Sequence, residues 1–331
     1  MIRFVENLSE YFTSWENLSC NSPYASFFQS RQCHDFYSSL QCFESFSYGV
    51  MDGDELLAAV TGYVTVDKNP IVQFFSRRAI IQGGVLISGA ASPAAVSFFL
   101  KETIRQLGTK AIYIEIRNYF DYSPYKHIFK QAGFEYERHY DIKNDTSSLC
   151  AIESSLSDNI KRCVKSSINN GVRMIYKPTA RQIRDFYAIL QNLYRSKIKR
   201  PLFPLDFFLM ATGSGIAHWF MTEYKGEIVG GMFCVGSNNR LYEWFVCGLD
   251  GKYKGVHPSK LATYSALCYC AENGFSVFDM MGAGKPDEDY GVRDFKARFG
   301  GKLVEEGRFV HIAHPLLYKI GKWGVKLLKK I

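Results

Sequence analysis

Few residues in this chain announce a reaction by type and spacing alone. Cys20, Cys33, Cys42, Cys150, Cys163, Cys234 and Cys247 are dispersed, and Cys268 and Cys270 stand one residue apart in a helical pattern, so no C-x-x-C pair exists to hold zinc. Dispersed cysteines of this kind are expected to be reduced, structural thiols. No nucleophile elbow frames any serine, and the seven histidines are expected in structural or surface roles. The "GAGKPDED" stretch at 282–289 follows a strand-like run. It lacks the G-x-x-x-x-G-K-[ST] spacing, and Pro286 with the acidic residues after it disfavours phosphate.

What remains is a set of paired positions. Lys296 sits in "VRDFKARFGG", a short helical run released by Gly300-Gly301. Its neighbour Phe295 shares a face with Phe299 and is expected in the core, with a place at a substrate site as the alternative. Glu115 and Arg117 share one face of the strand "AIYIEIR": they form an internal ion pair or hold opposite charges of a bound zwitterion. Tyr242 and Trp244 alternate with Glu243, which puts the carboxylate on the opposite side from both rings. Those rings serve the core or bind a sugar or peptide. Arg195 and Arg200, following a helix, are solvated cations or phosphate contacts.

The elements that must position these residues occur twice. "DGDELLAAVTGYV", "RRAIIQGGVLIS", "SPAAVSFFLKETIRQLG", "KAIYIEIRN" and "YKHIFKQAGFEYERHYDI" are followed, in the same order, by "YKGEIVGGMFCVG", "RLYEWFVCGL", "HPSKLATYSALCYCAENG", "FSVFDMMG" and "VRDFKARFGGKLVEEGRFV". Pro93 and Pro258 lie 165 residues apart, Gly108 and Gly274 lie 166 apart, and Phe129-Lys130 precedes Phe295-Lys296 by 166. Each half therefore reads as a hairpin, a helix, a strand, a short helix and a last strand. Ser92-Pro93 predicts a helix start, Gly108 and Gly274 predict left-handed helix ends, and Thr179 with Gln182 predicts a capping box. The polar, serine-rich run at 144–157 marks the boundary. The expected division is residues 1–152 for the first domain and 153–313 for the second.

With 331 residues, 47% hydrophobic and 22% charged, the composition is that of two globular domains. Apolar runs stop short of the ~18 residues of a membrane span, and no secretory pattern opens the chain, so a cytoplasmic protein is expected. A net charge of +8 favours an anionic partner such as RNA, a nucleotide-linked precursor or a lipid surface. In the tail "HPLLYKIGKWGVKLLKKI", Leu316, Leu317, Ile320, Trp323, Leu327 and Leu328 fall mainly on one helical face, with Lys319, Lys322, Lys326, Lys329 and Lys330 around it. This helix, 314–331, is expected to pack on the first domain, the alternative being a peripheral contact at the inner face of a membrane.

The order "SDNIKRCVKSSINNGV", "GEIVGGMFCV", "YEWFVCGLDGKYKGVHPSKLATYSALCYCAENGFSVFDMMG" and "GVRDFKARFGG" resembles the Fem family of peptidoglycan-bridge aminoacyltransferases. It is equally similar to acetyltransferase-like domains of cell-envelope and polysaccharide pathways. The resemblance implies mixed α/β sheets in two tandem GNAT-like domains, without the coiled-coil arm that some members carry. It implies no permanently bound cofactor, an aminoacyl-tRNA donor, and an acceptor amine on a UDP- or lipid-linked muramyl peptide. Lys296 would then stabilise the tetrahedral oxyanion or the leaving 3′-oxygen, with Lys130 its counterpart in the first half. Glu115 and Arg117 would hold the peptide acceptor, and Arg195 and Arg200 the carrier phosphates. Acyl-CoA, used to acylate an amino sugar, is the alternative donor. Against it, "KYKGVHPSK" has one interior glycine, and Pro258 deletes an N–H where a pyrophosphate cradle needs donors. A non-catalytic module binding RNA or glycan is the remaining alternative.

Overall fold

The computed structural model describes residues 1–328; Lys329 and Lys330 lie outside the described residues, as do the side chains of Lys326, Leu327 and Leu328. The chain forms two compact units, residues 1–139 with 305–331, and residues 140–304.

The first unit opens with β1 (Ile2–Val5), α1 (Phe12–Asn21) and α2 (Arg31–Ser38). The hairpin β2 (Phe43–Asp52) and β3 (Glu55–Thr65), then α3 (Pro70–Ser76), β4 (Arg78–Gly83), β5 (Leu86–Ile87) and α4 (Pro93–Gly108) follow. It continues through β6 (Tyr113–Asn118), α5 (Lys126–Ala132) and β7 (Glu135–Glu137). Helix α4 starts as its sequence predicts: Ser92 Oγ accepts from the Ala95 N–H and Pro93 fills the first turn. Its end differs. Gly108 remains helical and Thr109, in right-handed conformation, caps the helix, so no left-handed glycine is used there.

The second unit comprises β8 (Tyr140–Asp145), α6 (Leu149–Ser155), α7 (Asp158–Asn169), β9 (Arg173–Ile175), α8 (Ala180–Leu193), α9 (Leu205–Gly213), β10 (His218–Tyr224), β11 (Glu227–Ser237) and β12 (Arg240–Gly248). Helix α10 (Pro258–Glu272), β13 (Val277–Gly282), α11 (Gly291–Ala297) and β14 (Lys302–Glu305) complete it. The Thr179–Gln182 capping box forms in full, and Gly274 ends α10's turn at φ 80°. The chain then returns to the first unit as β15 (Arg308–Ile312) and α12 (Pro315–Leu328).

Sheet order runs β1-β2-β3-β4-β6-β15-β7 in the first unit, with β5 on β3, and β14-β8-β13-β12-β11-β10-β9 in the second. Setting β3-β4-β6-β15-β7 against β11-β12-β13-β8-β14 reveals one repeated pattern with its closing strands traded. β8, expected in a first domain of 1–152, pairs antiparallel with β13, and β15, expected in the second, pairs with β6 and β7. The division accordingly lies at 139/140 and 304/305 rather than at 152/153. Each strand enters an antiparallel slot of identical geometry, and this satisfies its backbone groups in either sheet.

The two sheets differ where their central parallel strands meet. β4 and β6 pair through six residues, Arg78↔Tyr113 to Gly83↔Asn118. β12 and β13 pair only through Arg240↔Val277, Leu241↔Phe278 and Tyr242↔Asp279, after which they part. Only the second sheet opens at this junction.

Candidate functional site

Immediately beyond the last paired residue of β12 stands Glu243, and α11 delivers Lys296 to it. The Lys296 ammonium lies 3.1 Å from Glu243 Oε1, donates to the Gly282 carbonyl at 3.2 Å, and donates to the Met280 carbonyl. Both side chains are buried. All three N–H donors of the lysine are thus matched, on the carboxylate of one diverging strand and two carbonyls of the other. Glu243 Oε2, in contrast, is buried without a hydrogen-bond partner. Burial raises the Glu243 pKa above the ordinary carboxylate value, Lys296 opposes that rise, and the charge of Asp279 adds to it.

Asp279, fully buried, shapes the end of β13. Its Oδ1 accepts from the Met281 N–H at 2.8 Å and its Oδ2 lies 3.3 Å from Arg240. Met281 takes φ 55°, a left-handed conformation uncommon for a residue with a side chain, and the ladder with β8 is interrupted between Asp279 and Gly282. The following loop is held by Arg293, whose guanidinium donates to the carbonyls of Ala283 (2.8 Å) and Lys285 and lies over the Tyr140 ring. "GAGKPDED" is therefore an arginine-clamped loop bordering the gap.

Phe295 packs edge-on to Phe299, ring centroids 5.3 Å apart, at the margin of the second core. Tyr242 is fully buried. Trp244 is partly buried and packs on Phe207 of α9 at 5.0 Å and, nearly parallel, beside Phe245. The alternation expected along β12 fails here, because the register with β11 shifts between Phe233 and Cys234 and makes Trp244 the extra residue. Arg195 and Arg200 are exposed, the first in a π-helical turn, Tyr194–Ile198, that continues α8. Burial, and then the nearby Tyr290, push the Tyr194 phenol up to about 12, while Arg200 pulls it down.

Glu115 and Arg117 belong to the sheet of the first unit. In the first unit Glu115 Oε1 accepts from Arg117 at 2.9 Å and Arg308 at 2.5 Å, the internal ion pair that was one of the two sequence readings. Burial alone would raise the Glu115 pKa. Arg117 and then Arg308 outweigh it and hold the carboxyl at about 2. Lys130, the counterpart of Lys296, is exposed, as the unbroken β4–β6 ladder would require.

In the turn between β12 and α10, where a GNAT pyrophosphate cradle would lie, the donors next to the helix start are engaged or missing. The Val256 N–H bonds the Tyr253 carbonyl at 3.2 Å, the His257 N–H bonds Ser167 Oγ at 2.9 Å, and Pro258 has none. Glu243 is the residue that sequence reasoning passed over. Its signal was present in the alternation that separated it from Tyr242, but the pattern does not say that α11 lies on that side. Among the described residues, no cluster of His, Cys, Asp or Glu has metal-site geometry.

Residues 154–296 match the family described as Acetyltransferase (GNAT) domain. No curated protein sequence matches significantly. Among solved structures, FemX superposes with a TM-score of 0.69 at 12% identity, covering 93% of this chain and 97% of its own. A tandem GNAT protein from the clavulanic acid biosynthesis pathway gives 0.60 at 10% identity, covering 95% and 99%. L-PGS from Bacillus licheniformis gives 0.58 at 11%, covering 96% and 97%. The fold is a tandem GNAT fold, and its second unit carries an acyltransferase domain.

Proposed function

We propose that this tandem GNAT chain forms an amide on an amine of a cell-envelope precursor, a muramyl peptide, taking the acyl group from an aminoacyl-tRNA. The observation that carries this is the Lys296–Glu243 pair with its unpartnered Oε2, standing where β12 and β13 part. An attacking ammonium must first lose a proton, and a buried carboxylate with a raised pKa and an open oxygen is suited to take it. The amine nitrogen then bonds to the acyl carbon, the ester bond to the 3′-oxygen breaks, and that oxygen takes up the proton that the nitrogen loses in becoming an amide. The Lys296 charge keeps Glu243 ionisable despite its burial and favours the negative charge that develops on the carbonyl oxygen. Arg200 and Arg195, both exposed, fit carrier phosphates.

The engaged turn before α10 supports a donor held at its acyl end rather than through a pyrophosphate. The test is transfer by the purified chain from radiolabelled aminoacyl-tRNA to a UDP-linked muramyl peptide, run beside acetyl-CoA with amino-sugar acceptors. Transfer from the tRNA alone, lost in Glu243→Gln, is the expected result. Transfer from acetyl-CoA alone overturns the donor assignment, and full turnover in folded Glu243→Gln overturns the site.

A further inference from the structure

The first unit carries an apolar surface that the acyl-transfer reading does not use. Helix α3, Asn69-capped, has no buried residue: Ile71 is 72% exposed, and Phe74 and Phe75 are also exposed. Helix α12 lies against it, with Gly321 facing the Phe75 carbonyl, while Tyr318 packs edge-on to Tyr113 of β6 at 5.2 Å. The inner face of α12 is thus Leu317, Tyr318 and Gly321. Leu316 (77% exposed), Ile320 and Trp323 (67%), at i, i+4 and i+7, form a separate outward stripe. Among the described residues the tail's apolar side chains therefore divide between two faces, one covered and one exposed.

The charges that the two helices themselves carry have one sign. Neither helix contains an aspartate or glutamate, Lys319 and Lys322 are exposed beside the outward stripe, and the Arg77 guanidinium lies over the Phe74 ring. Two carboxylates stand at the edge of this surface, Glu137 near Lys322 and Asp67 at the Asn69 cap of α3. Aromatic and aliphatic side chains ringed by lysines match a bilayer interface, where rings lie at headgroup depth and cations meet lipid phosphates. A second copy of the same chain would set these lysines against one another.

We infer that α3 and α12 form a docking surface for an anionic phospholipid membrane. This does not rest on the proposed reaction. The test is flotation of the full chain with vesicles of phosphatidylcholine alone and with phosphatidylglycerol added, together with tryptophan emission. Trp15 and Trp219 are buried, so a blue shift on vesicle addition lost in Trp323→Phe reports that residue's insertion. Binding to the anionic vesicles only is expected, weakened roughly tenfold or more in Lys319→Glu/Lys322→Glu. Ile71→Ser/Phe74→Ser and Leu316→Glu/Ile320→Glu should each abolish it, with thermal unfolding showing every variant folded. Absence of binding, binding unchanged in these variants, or a dimer in sedimentation that the same variants dissociate would each overturn the proposal.

Discussion

Lys296 and Glu243 depend on each other, and the dependence separates structure from chemistry. Lys296→Met leaves a buried carboxylate without its counter-charge, so we expect about 3–5 kcal/mol of stability to be lost in urea unfolding, together with transfer activity. Lys296→Met/Glu243→Leu removes both charges and should regain most of that stability while remaining inactive. A double variant that recovers turnover would reduce the pair to a brace. In the pH profile of kcat/KM, activity should fall as pH drops through the raised Glu243 pKa, where Oε2 gains a proton, and Glu243→Gln should lose that limb. Glu115 behaves oppositely. Its pKa falls from 4.5 to about 2 on folding, so its contribution is complete above 4.5 and disappears as pH drops toward 2. The amount is on the order of 3 kcal/mol. Urea midpoints measured from neutral pH down to pH 2 should show this acid loss, and Glu115→Gln should flatten it.

At the scale of elements, α11 holds Lys296 in place because it stops abruptly. Gly300 has φ 78°, and a Cβ built there would stand 2.2 Å from the Ser155 carbonyl oxygen at the end of α6. Gly300→Ala should therefore destabilise the second unit by more than ~1 kcal/mol in thermal unfolding and lower activity with it. The turn before α10 carries a separate expectation: calorimetry with acetyl-CoA should show no micromolar binding, since the Val256 and His257 N–H groups are already engaged. Such local devices were readable from residue types. Ser92, Thr179 and Gln182 cap as their chemistry dictates, and Gly300 takes the left-handed conformation in the turn that follows α11 and its cap Arg298. Trp244 was not readable, because a one-residue bulge breaks the alternation that assigned its face, and an inserted residue leaves no mark in composition. Gly108 misled for a related reason: glycine permits a left-handed end without requiring one.

Across the whole molecule, the duplication was legible because three landmarks keep their spacing, whereas the traded strands were not. β8 and β15 are each written as ordinary short strands, and local sequence encodes the strand without naming its neighbour. The trade has measurable consequences. Phe309 of β15 stacks on Phe129 of α5 at 3.9 Å, so Phe309→Ala should lower the stability of the first unit by about 3–5 kcal/mol in chemical denaturation. A chain ending at Val304 should yield, on limited proteolysis, a resistant fragment near 140–304 and a digested amino-terminal segment. The tail helix shows the same division between pattern and partner: its amphipathic spacing was plain, but α3, on which it rests, could be identified only from the fold.

The order in which strands leave the ribosome gives the traded closure a further meaning. Residues 140–304 are contiguous and can assemble as soon as they emerge, whereas the body that residues 1–139 begin waits for β15, which follows the whole of the second unit. The unit begun earlier is thus closed later, and until β15 emerges β6 and β7 stay apart, open to a chaperone or to a neighbouring nascent chain.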